Sequence, residues 1–499
     1  MVRQEPHPPK QWFGGSLTRA MKLQASLPAD APFFGLAAFP SHAESFWALQ
    51  FQATLRVLFR VIPLPPFGPI TVYRSRSILL FLSICICNAH VLADDSLQFR
   101  GTNADGFVLE KNVPEVWDTN SQIKWQVAVP GEGWSAPIVV GDRVFLTTSV
   151  SAERKDMNSE HDWQVLCFDK TTGKSLWSKS VIKGKPRLGT HRDNTYASET
   201  PVCDGKHLVV YFGMMGLVCF DLDGNELWKK DLGNYPMQLN WGTSSSPVMH
   251  GNLVYLQVDN DQKSFLVALD IATGVEKWRK DRDESSNWGS PIIWQNAKRT
   301  ELITAGRTIR SYKPEDGSLL WQLTLNAGGV CSTPTGDSDV LIVGNQGRQG
   351  AGMMAVRAGA AGDVSLKENE ASNASVLWST RKLGPQRSSP LMIAGQVYLF
   401  GQRDGQLTCM DTKSGDVLYQ ERIPSAGAFW ASPWANNGLV YCTDENGSTY
   451  VLKPGPKLEV VRVNKLPRKE ESRFWATSAA SDGFLFIRSS NTLFALSAK

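Results

Sequence analysis

The sequence predicts an all-β fold in which a four-stranded unit is repeated eight times around a closed ring. Three observations predict this fold. A phrase ending in Trp recurs along the chain, a second phrase built around Pro precedes it at a regular distance, and the two chain ends carry complementary parts of one unit. Repetition at a fixed period indicates one large repeat architecture rather than several unrelated domains.

The Trp phrase is a strand that ends in Asp or a nearby polar residue, a turn that contains Gly, and a strand that carries an aromatic residue. It reads LCFDKTTGKSLW (166–177), VCFDLDGNELW (218–228), VALDIATGVEKW (267–278), RSYKPEDGSLLW (310–321) and TCMDTKSGDVLY (408–419). Alternating side chains form the strands, and Gly supplies the positive φ of the turn. Each copy therefore predicts a β-hairpin. We expect its aromatic residue to pack between neighbouring sheets, for Trp125, Trp177, Trp228, Trp278, Trp321, Trp378 and Tyr419.

The Pro phrase opens a hydrophobic strand after one or two small residues. Its positions are Pro137, Pro201, Pro247, Pro291, Pro334, Pro390 and Pro433, with Ala479 in the eighth copy. Successive separations are 64, 46, 44, 43, 56, 43 and 46 residues, so the two long intervals predict insertions. Pro is tolerated at the first residue of a strand. The polar stretch Lys367–Ser375 in the second insertion is predicted to be a solvated loop.

The chain ends predict how the ring closes. The first Trp phrase, IKWQVAVPG (123–131), has no inner strands before it, and the last unit, NTLFALSAK (491–499), stops before its Trp strand. If Ile123–Val129 supplies the outer strand of the last unit, both deficits vanish and no sheet edge stays open. Units of 43–46 residues with four short strands are typical of propeller blades. The sequence therefore predicts an eight-bladed β-propeller over residues 123–499, closed by its N-terminal strand.

The segment before the repeats predicts export. Residues 74–93 combine Arg74 and Arg76, a ten-residue apolar core and a small-residue cleavage site, which is the pattern of a secretory signal peptide. We expect the mature chain to begin at Asp94 and to be periplasmic or secreted. Residues 1–73 are interpreted as the product of a start codon placed too far upstream, or as a cytoplasmic extension. Lipidation at Cys85 or Cys87 is disfavoured by the Ile residues before them.

Charge and spacing exclude several classes of function. Residues 1–93 hold eight Lys and Arg but three Asp and Glu, which leaves 44 basic and 45 acidic residues and a net charge of −1 in the rest. That balance predicts no nucleic-acid partner. The seven His residues show no HxxxH spacing and no CxxC pair occurs, so the sequence predicts no metal site. After signal removal the chain is expected to be a monomer without a membrane span.

The repeated phrases resemble the quinoprotein-type (PQQ-like) β-propeller repeat over roughly residues 98–499. The segment QFRGTNADG (98–106), within an opening segment at 94–122, is similar to the start of many exported bacterial proteins of this type. The resemblance implies one of two functional classes. One class consists of quinone-dependent alcohol dehydrogenases, and the other of non-catalytic propellers, including a periplasmic lipoprotein that assists outer-membrane β-barrel assembly.

The dehydrogenase class implies a cofactor site that this sequence does not match. In that class the quinone (PQQ) stacks on a Trp, usually under a disulfide between adjacent cysteines, and Ca²⁺ is held by a Glu/Asn/Asp set. This chain has no Cys-Cys pair and no motif that aligns with the calcium ligands. We therefore expect a non-enzymatic protein- or ligand-binding scaffold. The alternative is a PQQ- and calcium-dependent, dehydrogenase-like oxidoreductase whose cofactor site differs from the usual residues of that class. A third possibility is a protein that binds carbohydrate.

The cysteines have a structural interpretation. Cys167, Cys219 and Cys409 occupy the third-strand position that Ala268, Ala355 and Ala495 occupy in other units. A buried free Cys behaves as a small hydrophobic residue, so we expect these three to be core residues rather than disulfide partners.

The candidate site lies at one mouth of the central channel. Five tryptophans stand three to six residues before the inner-strand Pro or Ala: Trp134, Trp241, Trp288, Trp430 and Trp475. Either they form a binding surface for a protein or small molecule, or they plug the channel against each other. Polar candidates in neighbouring loops are His191, Arg192, Asn194, Tyr196 and Arg387. No nucleophile or carboxylate pair can be assigned beside them, so no catalytic residue is predicted.

Overall fold

The computed structural model describes residues 95–325, 329–347, 350–381 and 383–498. The predicted leader at 1–73, the signal peptide at 74–93, the expected N-terminal Asp94, Cys85 and Cys87 lie outside the described residues. Among the described residues, the backbone forms eight sheets of short antiparallel strands. Strand β1 (Ile123–Ala128) comes first in the chain but completes the last sheet.

The first four blades follow one another directly in the chain. Blade 1 contains β2 (Ile138–Val140), β3 (Arg143–Val150), β4 (His161–Asp169) and β5 (Ser175–Gly184). Blade 2 contains β6 (Val202–Cys203), β7 (His207–Tyr211), β8 (Leu217–Asp221) and β9 (Glu226–Lys230). Blade 3 contains β10 (Val248–His250), β11 (Leu253–Val258), β12 (Ser264–Asp270) and β13 (Glu276–Arg282). Blade 4 contains β14 (Ile292–Gln295), β15 (Thr300–Thr304), β16 (Thr308–Tyr312) and β17 (Leu319–Thr324).

The remaining blades complete the ring. Blade 5 contains β18 (Thr335–Gly336), β19 (Val340–Gly347), β20 (Gly350–Arg357) and, after the short strand β21 (Gly362–Asp363), β22 (Val376–Thr380). Blade 6 contains β23 (Leu391–Ile393), β24 (Gln396–Phe400), β25 (Gln406–Asp411) and β26 (Val417–Arg422). Blade 7 contains β27 (Trp434–Asn436), β28 (Leu439–Thr443), β29 (Ser448–Leu452) and β30 (Val460–Lys465). Blade 8 contains β31 (Ala479–Ser481), β32 (Phe484–Arg488), β33 (Thr492–Ser497) and β1.

The predicted closure is confirmed. Strand β1 pairs antiparallel with β33, so that Trp125 lies opposite Ala495. Within each blade the first strand is innermost, and first strands of neighbouring blades touch around the channel, as β2 and β31 do across the closing joint. We call the end where the first strands begin the upper mouth, and the end where they turn into the second strands the lower mouth.

Five Trp residues of the repeat join their blade to the next one through the same contact. The indole N–H of Trp228, for example, donates to the carbonyl oxygen of Ile271 at 2.8 Å. Gly274, in the same turn of blade 3 at φ +68°, lies so close that an added Cβ would be 2.7 Å from the Trp228 ring. The same Trp-to-turn contact occurs for Trp125, Trp177, Trp278 and Trp378. The predicted packing between blades is thus confirmed.

Small residues in the third strand leave room for these aromatic side chains. Cys167, Cys219 and Cys409 lie directly opposite Trp177, Trp228 and Tyr419 in the fourth strand, and all three are fully buried. Alanine fills the same position at Ala268, Ala355 and Ala495. The cysteines of the described part of the chain are free thiols. The interpretation of Cys as a core residue is confirmed.

A belt of hydroxyl groups links the starts of the first strands. The backbone N–H of Ala136 donates to the Thr200 hydroxyl at 2.9 Å, and the N–H of Thr200 donates to the Ser246 hydroxyl at 2.9 Å. The series continues through Ser290, Thr333, Ser389, Ser432 and Thr477, which makes seven buried links among the described residues. The residue before Pro is biased toward extended backbone. Its backbone N–H has no acceptor within its own blade and donates instead to the hydroxyl of the next blade. Ala136 has no hydroxyl, so the belt stops between blades 8 and 1.

The insertion in blade 5 departs from the simple four-stranded plan. Strand β21 pairs in parallel with β17 and gives blade 4 a fifth strand. Because the insertion replaces the short turn that would receive Trp321, that indole donates instead to the buried carboxylate of Glu301 at 2.6 Å. Val364 is buried over blade 4, whereas most of Lys367–Ser375 is exposed, as predicted.

Candidate functional site

The five mouth tryptophans form two groups at the upper mouth. Trp475 stacks on Trp430 with ring centres 4.1 Å apart and also contacts Trp134 at 4.9 Å. On the other side Trp241 contacts Trp288 at 5.8 Å. Trp288 is buried, and the other four are half-buried. The rings therefore pack on one another and also present surface to solvent, and the binding surface stays a prediction.

Arg387 stands over the first group. Its guanidinium carbon lies 4.9 Å from the centre of the Trp430 ring, within the range of a cation–π contact. The residue is exposed. Because Trp430 is itself sandwiched between Arg387 and Trp475, its ring is held in one orientation. The arrangement is a rigid, positively charged aromatic surface.

His191 belongs to the second group. Its ring meets Trp241 edge-on at 5.2 Å, and its Nδ1 accepts the backbone N–H of Asp193 at 3.1 Å. Burial lowers the pKa of His191; Asp193 opposes this effect, and the nearby Arg387, Arg192 and Lys155 add to it. At neutral pH the ring is therefore uncharged with its proton on Nε2, and it can donate one hydrogen bond.

Asn194 positions the loop that carries His191. Its Nδ2 donates to the carbonyl oxygens of Trp241 and Thr243, both at 3.0 Å, and its Oδ1 accepts from the Ser198 hydroxyl at 2.7 Å. The side chain thus ties the loop to the segment that carries Trp241. Arg192, by contrast, extends into solvent with 87% of its side chain exposed.

Tyr196 is not part of the aromatic surface. Its ring contacts His161 at 4.7 Å and Trp163 at 6.2 Å, and it lines a separate small cavity with Leu188 and Met214. Burial raises its pKa to about 12.

Two charged features of the upper mouth were not predicted. Lys155, from the insertion between β3 and β4, donates to the Asn194 carbonyl and forms an ion pair with Glu132 at 3.1 Å. Glu199 lies just below, with its carboxyl buried and its pKa raised to about 7, chiefly by burial. A sequence signal existed for Glu199, because it stands where serine stands in four other copies of the Pro phrase. Lys155 lies in an insertion that has no repeat register.

The residues present do not fit the quinone site of the dehydrogenase class. Within the described ranges, no three His, Cys, Asp or Glu side chains converge as a metal would require, and the cysteines are free thiols. The two Trp groups supply aromatic surface but no calcium ligands. No reaction step is therefore assigned through a quinone.

No helix within the described residues is both long and apolar enough to cross a membrane.

Comparison with known structures reports the shared fold. The chain aligns with the crystal structure of BamB from Moraxella catarrhalis at TM-score 0.52 and 12% identity, over 75% of this chain and 99% of that one. It aligns with quinohemoprotein alcohol dehydrogenase from Comamonas testosteroni at TM-score 0.54 and 11% identity, over 81% and 80% of the two chains. A europium-containing methanol dehydrogenase aligns at TM-score 0.56 and 10% identity, over 79% and 89%. At these identities the likeness shows the fold alone.

Sequence comparison matches this chain to one of these groups of proteins. The outer membrane protein assembly factor BamB of Yersinia pestis is 24% identical over 293 residues, which covers 56% of this chain and 67% of that protein. A family profile described as outer membrane protein assembly factor BamB matches residues 161–370 and 297–499. Together these matches span most of the propeller. The chain belongs to this PQQ-like propeller family, that of the outer membrane protein assembly factor BamB.

Proposed function

We propose that this chain is an exported, non-enzymatic propeller that binds a protein or a small molecule at its upper mouth. The observation that carries the proposal is the pairing of Arg387 with Trp430, at 4.9 Å, on a half-buried stack of three tryptophans. Trp and Arg are the residues most enriched among those that dominate protein interfaces. A packed core alone would not need an exposed arginine over its outermost ring.

The charge of the mouth defines the class of partner. Arg387, Arg192 and Lys155 all lie close enough to His191 to lower its pKa, whereas Asp193 is the acidic group that raises it. Lys155 is already paired with Glu132. A partner segment with an aromatic or aliphatic side chain beside a carboxylate would therefore complement this surface.

Export and family membership support the same function. The signal-like segment at 74–93 supports export of the propeller from the cytoplasm. The family to which it belongs is described as an assembly factor rather than an oxidoreductase. An oxidoreductase remains the competing function, and it requires a calcium and quinone set that the described residues do not supply.

The experiment identifies the partner at the mouth and then removes the aromatic surface. A photo-crosslinking amino acid at Arg192 in the producing cells should capture a partner that the same group at Val275, an exposed residue just before the outer strand of blade 3, does not capture. Affinity for that partner should fall by about 2 kcal/mol or more in Trp430→Ala and Trp241→Ala.

Trp378 provides the matched control, because it is a repeat Trp that joins two blades. Trp378→Ala should lower the free energy of unfolding by about 3–5 kcal/mol and change affinity only through unfolding. Equal capture at Arg192 and Val275, or loss of stability without loss of affinity at Trp430 and Trp241, contradicts the proposal. Stoichiometric quinone binding with alcohol turnover contradicts its non-enzymatic part.

A further inference from the structure

The channel contains a second cavity, which lies between the lower mouth and the start of the first strands. The opening segment crosses this mouth. Ser96 bridges to Val139 in blade 1, and Gly106 accepts the backbone N–H of Ala435 in blade 7 at 2.9 Å. The cavity lies between the opening segment and the first strands of blades 7 and 8, and its lining includes Arg100, Thr102, Phe107, Trp434, Thr477 and Ser478.

Arg100 supplies two nitrogens that have no acceptor, Nε with one N–H and Nη1 with two. The residue is 3% exposed. Its Nη2 donates to the carbonyl oxygens of Pro390 at 2.7 Å and Asp105 at 3.1 Å, whereas Nε and Nη1 are buried without a hydrogen-bond partner among the described residues. Burial lowers the pKa of Arg100 to about 10, and the nearby Asp105 opposes that change. The guanidinium is thus a buried cation at neutral pH that uses two of its five N–H donors.

Trp434 supplies a third such nitrogen on the same cavity. It is 3% exposed and stacks on Tyr441 with ring centres 4.1 Å apart, which leaves no freedom for the ring to turn. Its buried Nε1 also has no partner among the described residues. Leaving a buried donor unpaired is unfavourable, and more so for a charged group, so three such nitrogens on one cavity require an explanation.

We propose that this cavity binds a small monovalent carboxylate, which accepts hydrogen bonds from Arg100 and Trp434. Nε and Nη1 lie on different edges of the guanidinium, so one of them can donate to one carboxylate oxygen while Nε1 of Trp434 donates to the other. The rim also carries the carboxylates of Asp95 and Glu110, which accept the backbone N–H groups of Gly141 and Asn112. These two negative charges disfavour a phosphate dianion or a polyanion and leave a small monoanion as the ligand.

Trifluoroacetate tests the proposal with full-length protein, because bound probe broadens the fluorine NMR signal. The broadening should saturate with probe concentration and be reversed by formate at constant ionic strength. Arg100→Met keeps most of the side-chain volume but removes the charge and should weaken binding at least about tenfold. Trp434→Phe keeps the stack on Tyr441 and should weaken binding about threefold or more.

Arg488 provides the matched control. It is an equally buried arginine with two unpaired nitrogens, but it does not line this cavity. Arg488→Met should leave probe binding unchanged. Absence of saturable broadening in the unaltered protein overturns the proposal, and so does equal broadening in Arg100→Met. Should Arg100→Met fail to fold by circular dichroism, Trp434→Phe alone decides the question.

Discussion

Glu199 carries a buried carboxyl at the second position before a first-strand proline. Its side chain accepts a hydrogen bond from the Thr243 hydroxyl at 2.6 Å, and only 2% of the residue is exposed. Burial, partly offset by this bond, raises the pKa of Glu199 from its ordinary 4.5 to about 7. The folded protein therefore holds a proton there that the unfolded chain releases at lower pH.

This raised pKa predicts a specific pH dependence of stability. The folded state binds the proton of Glu199 more tightly than the unfolded chain does. The stability that this proton contributes is therefore fully present below pH 4.5 and is lost as pH rises through about 7. Glu199→Gln keeps an acceptor for Thr243 and cannot ionise. At pH 8 we expect the free energy of unfolding of Glu199→Gln to be about 3 kcal/mol higher than that of the unaltered protein. At pH 4.5 the two free energies should differ little.

Chemical denaturation at both pH values measures this difference. Thr243→Val serves as a second variant, because removing the hydroxyl should raise the pKa of Glu199 further and steepen the loss of stability with pH. A constant difference between Glu199→Gln and the unaltered protein from pH 4.5 to pH 8 would show that the carboxyl stays ionised in the fold.

For single residues, the sequence predicted the environment of positions that recur in several blades. It did not predict the environment of residues whose partners occur only once. Cys167 was assigned to a small core position because Ala268 and Ala495 align with it. Glu199 and Lys155 owe their environment to groups far away in the chain, and Thr243 lies 44 residues from Glu199. No repeat register identifies such partners, so the raised pKa and the mouth ion pair could not be predicted.

Among the elements, the turn between the third and fourth strands has the most exact steric requirement. In blade 3, Gly274 has φ +68°, and a Cβ added to it would lie 2.7 Å from the Trp228 ring. Both the backbone conformation and the contact between blades thus demand glycine.

Two glycines separate these demands experimentally. Gly251→Ala, at φ +59° with no atom within 4 Å of an added Cβ, should cost only the backbone penalty of about 1–2 kcal/mol. Gly274→Ala should cost the same plus about 1–3 kcal/mol for displacing Trp228. Unfolding free energies of the two variants give the comparison. Equal losses would mean that the indole shifts freely and that the Trp-to-turn contact adds little to cohesion between blades.

The element that the sequence did not predict is β21. Its two residues, Gly362 and Asp363, have no strand pattern of their own, and they pair with a strand of the previous blade. The 56-residue interval between Pro334 and Pro390 correctly indicated an insertion there. Where an insertion settles depends on which sheet edge it can reach, and that information is tertiary.

For the whole molecule, closure depends on residues near the start of the propeller. Strand β1 completes blade 8, and the opening segment spans the lower mouth from blade 1 to blade 7. Removing residues 94–130 exposes the edge of β33 and uncovers the channel. We expect the thermal midpoint to fall by about 10 °C or more and the protein to self-associate through the free edge.

Calorimetry and sedimentation of the deletion variant measure both effects. Adding residues 94–130 back as a separate peptide should restore the midpoint, which distinguishes loss of closure from general damage to the fold. An unchanged midpoint in the deletion variant would show that β33 does not need its partner.

The global architecture was predictable because every blade repeats the same two phrases and the chain ends reveal the missing strand. The candidate site was predictable only as a location. Five tryptophans preceding inner strands were expected to surround one mouth, but their division into two groups, with Tyr196 turned into another cavity, follows from side-chain packing between blades.

The gap in the hydroxyl belt makes one joint between blades different from the other seven. A linear array of repeats frays from either terminus, whereas a ring has to break one joint before any blade can peel away. Seven joints carry the same backbone-to-hydroxyl bond, but at the joint between blades 8 and 1 Arg488 donates instead to the Ser135 hydroxyl at 2.6 Å. Blade 8, on one side of that joint, is also the sheet that contains both the first and the last strand of the propeller. Unzipping under load should therefore start there and run outward through blades 1 and 8, leaving blades 4 and 5 until last.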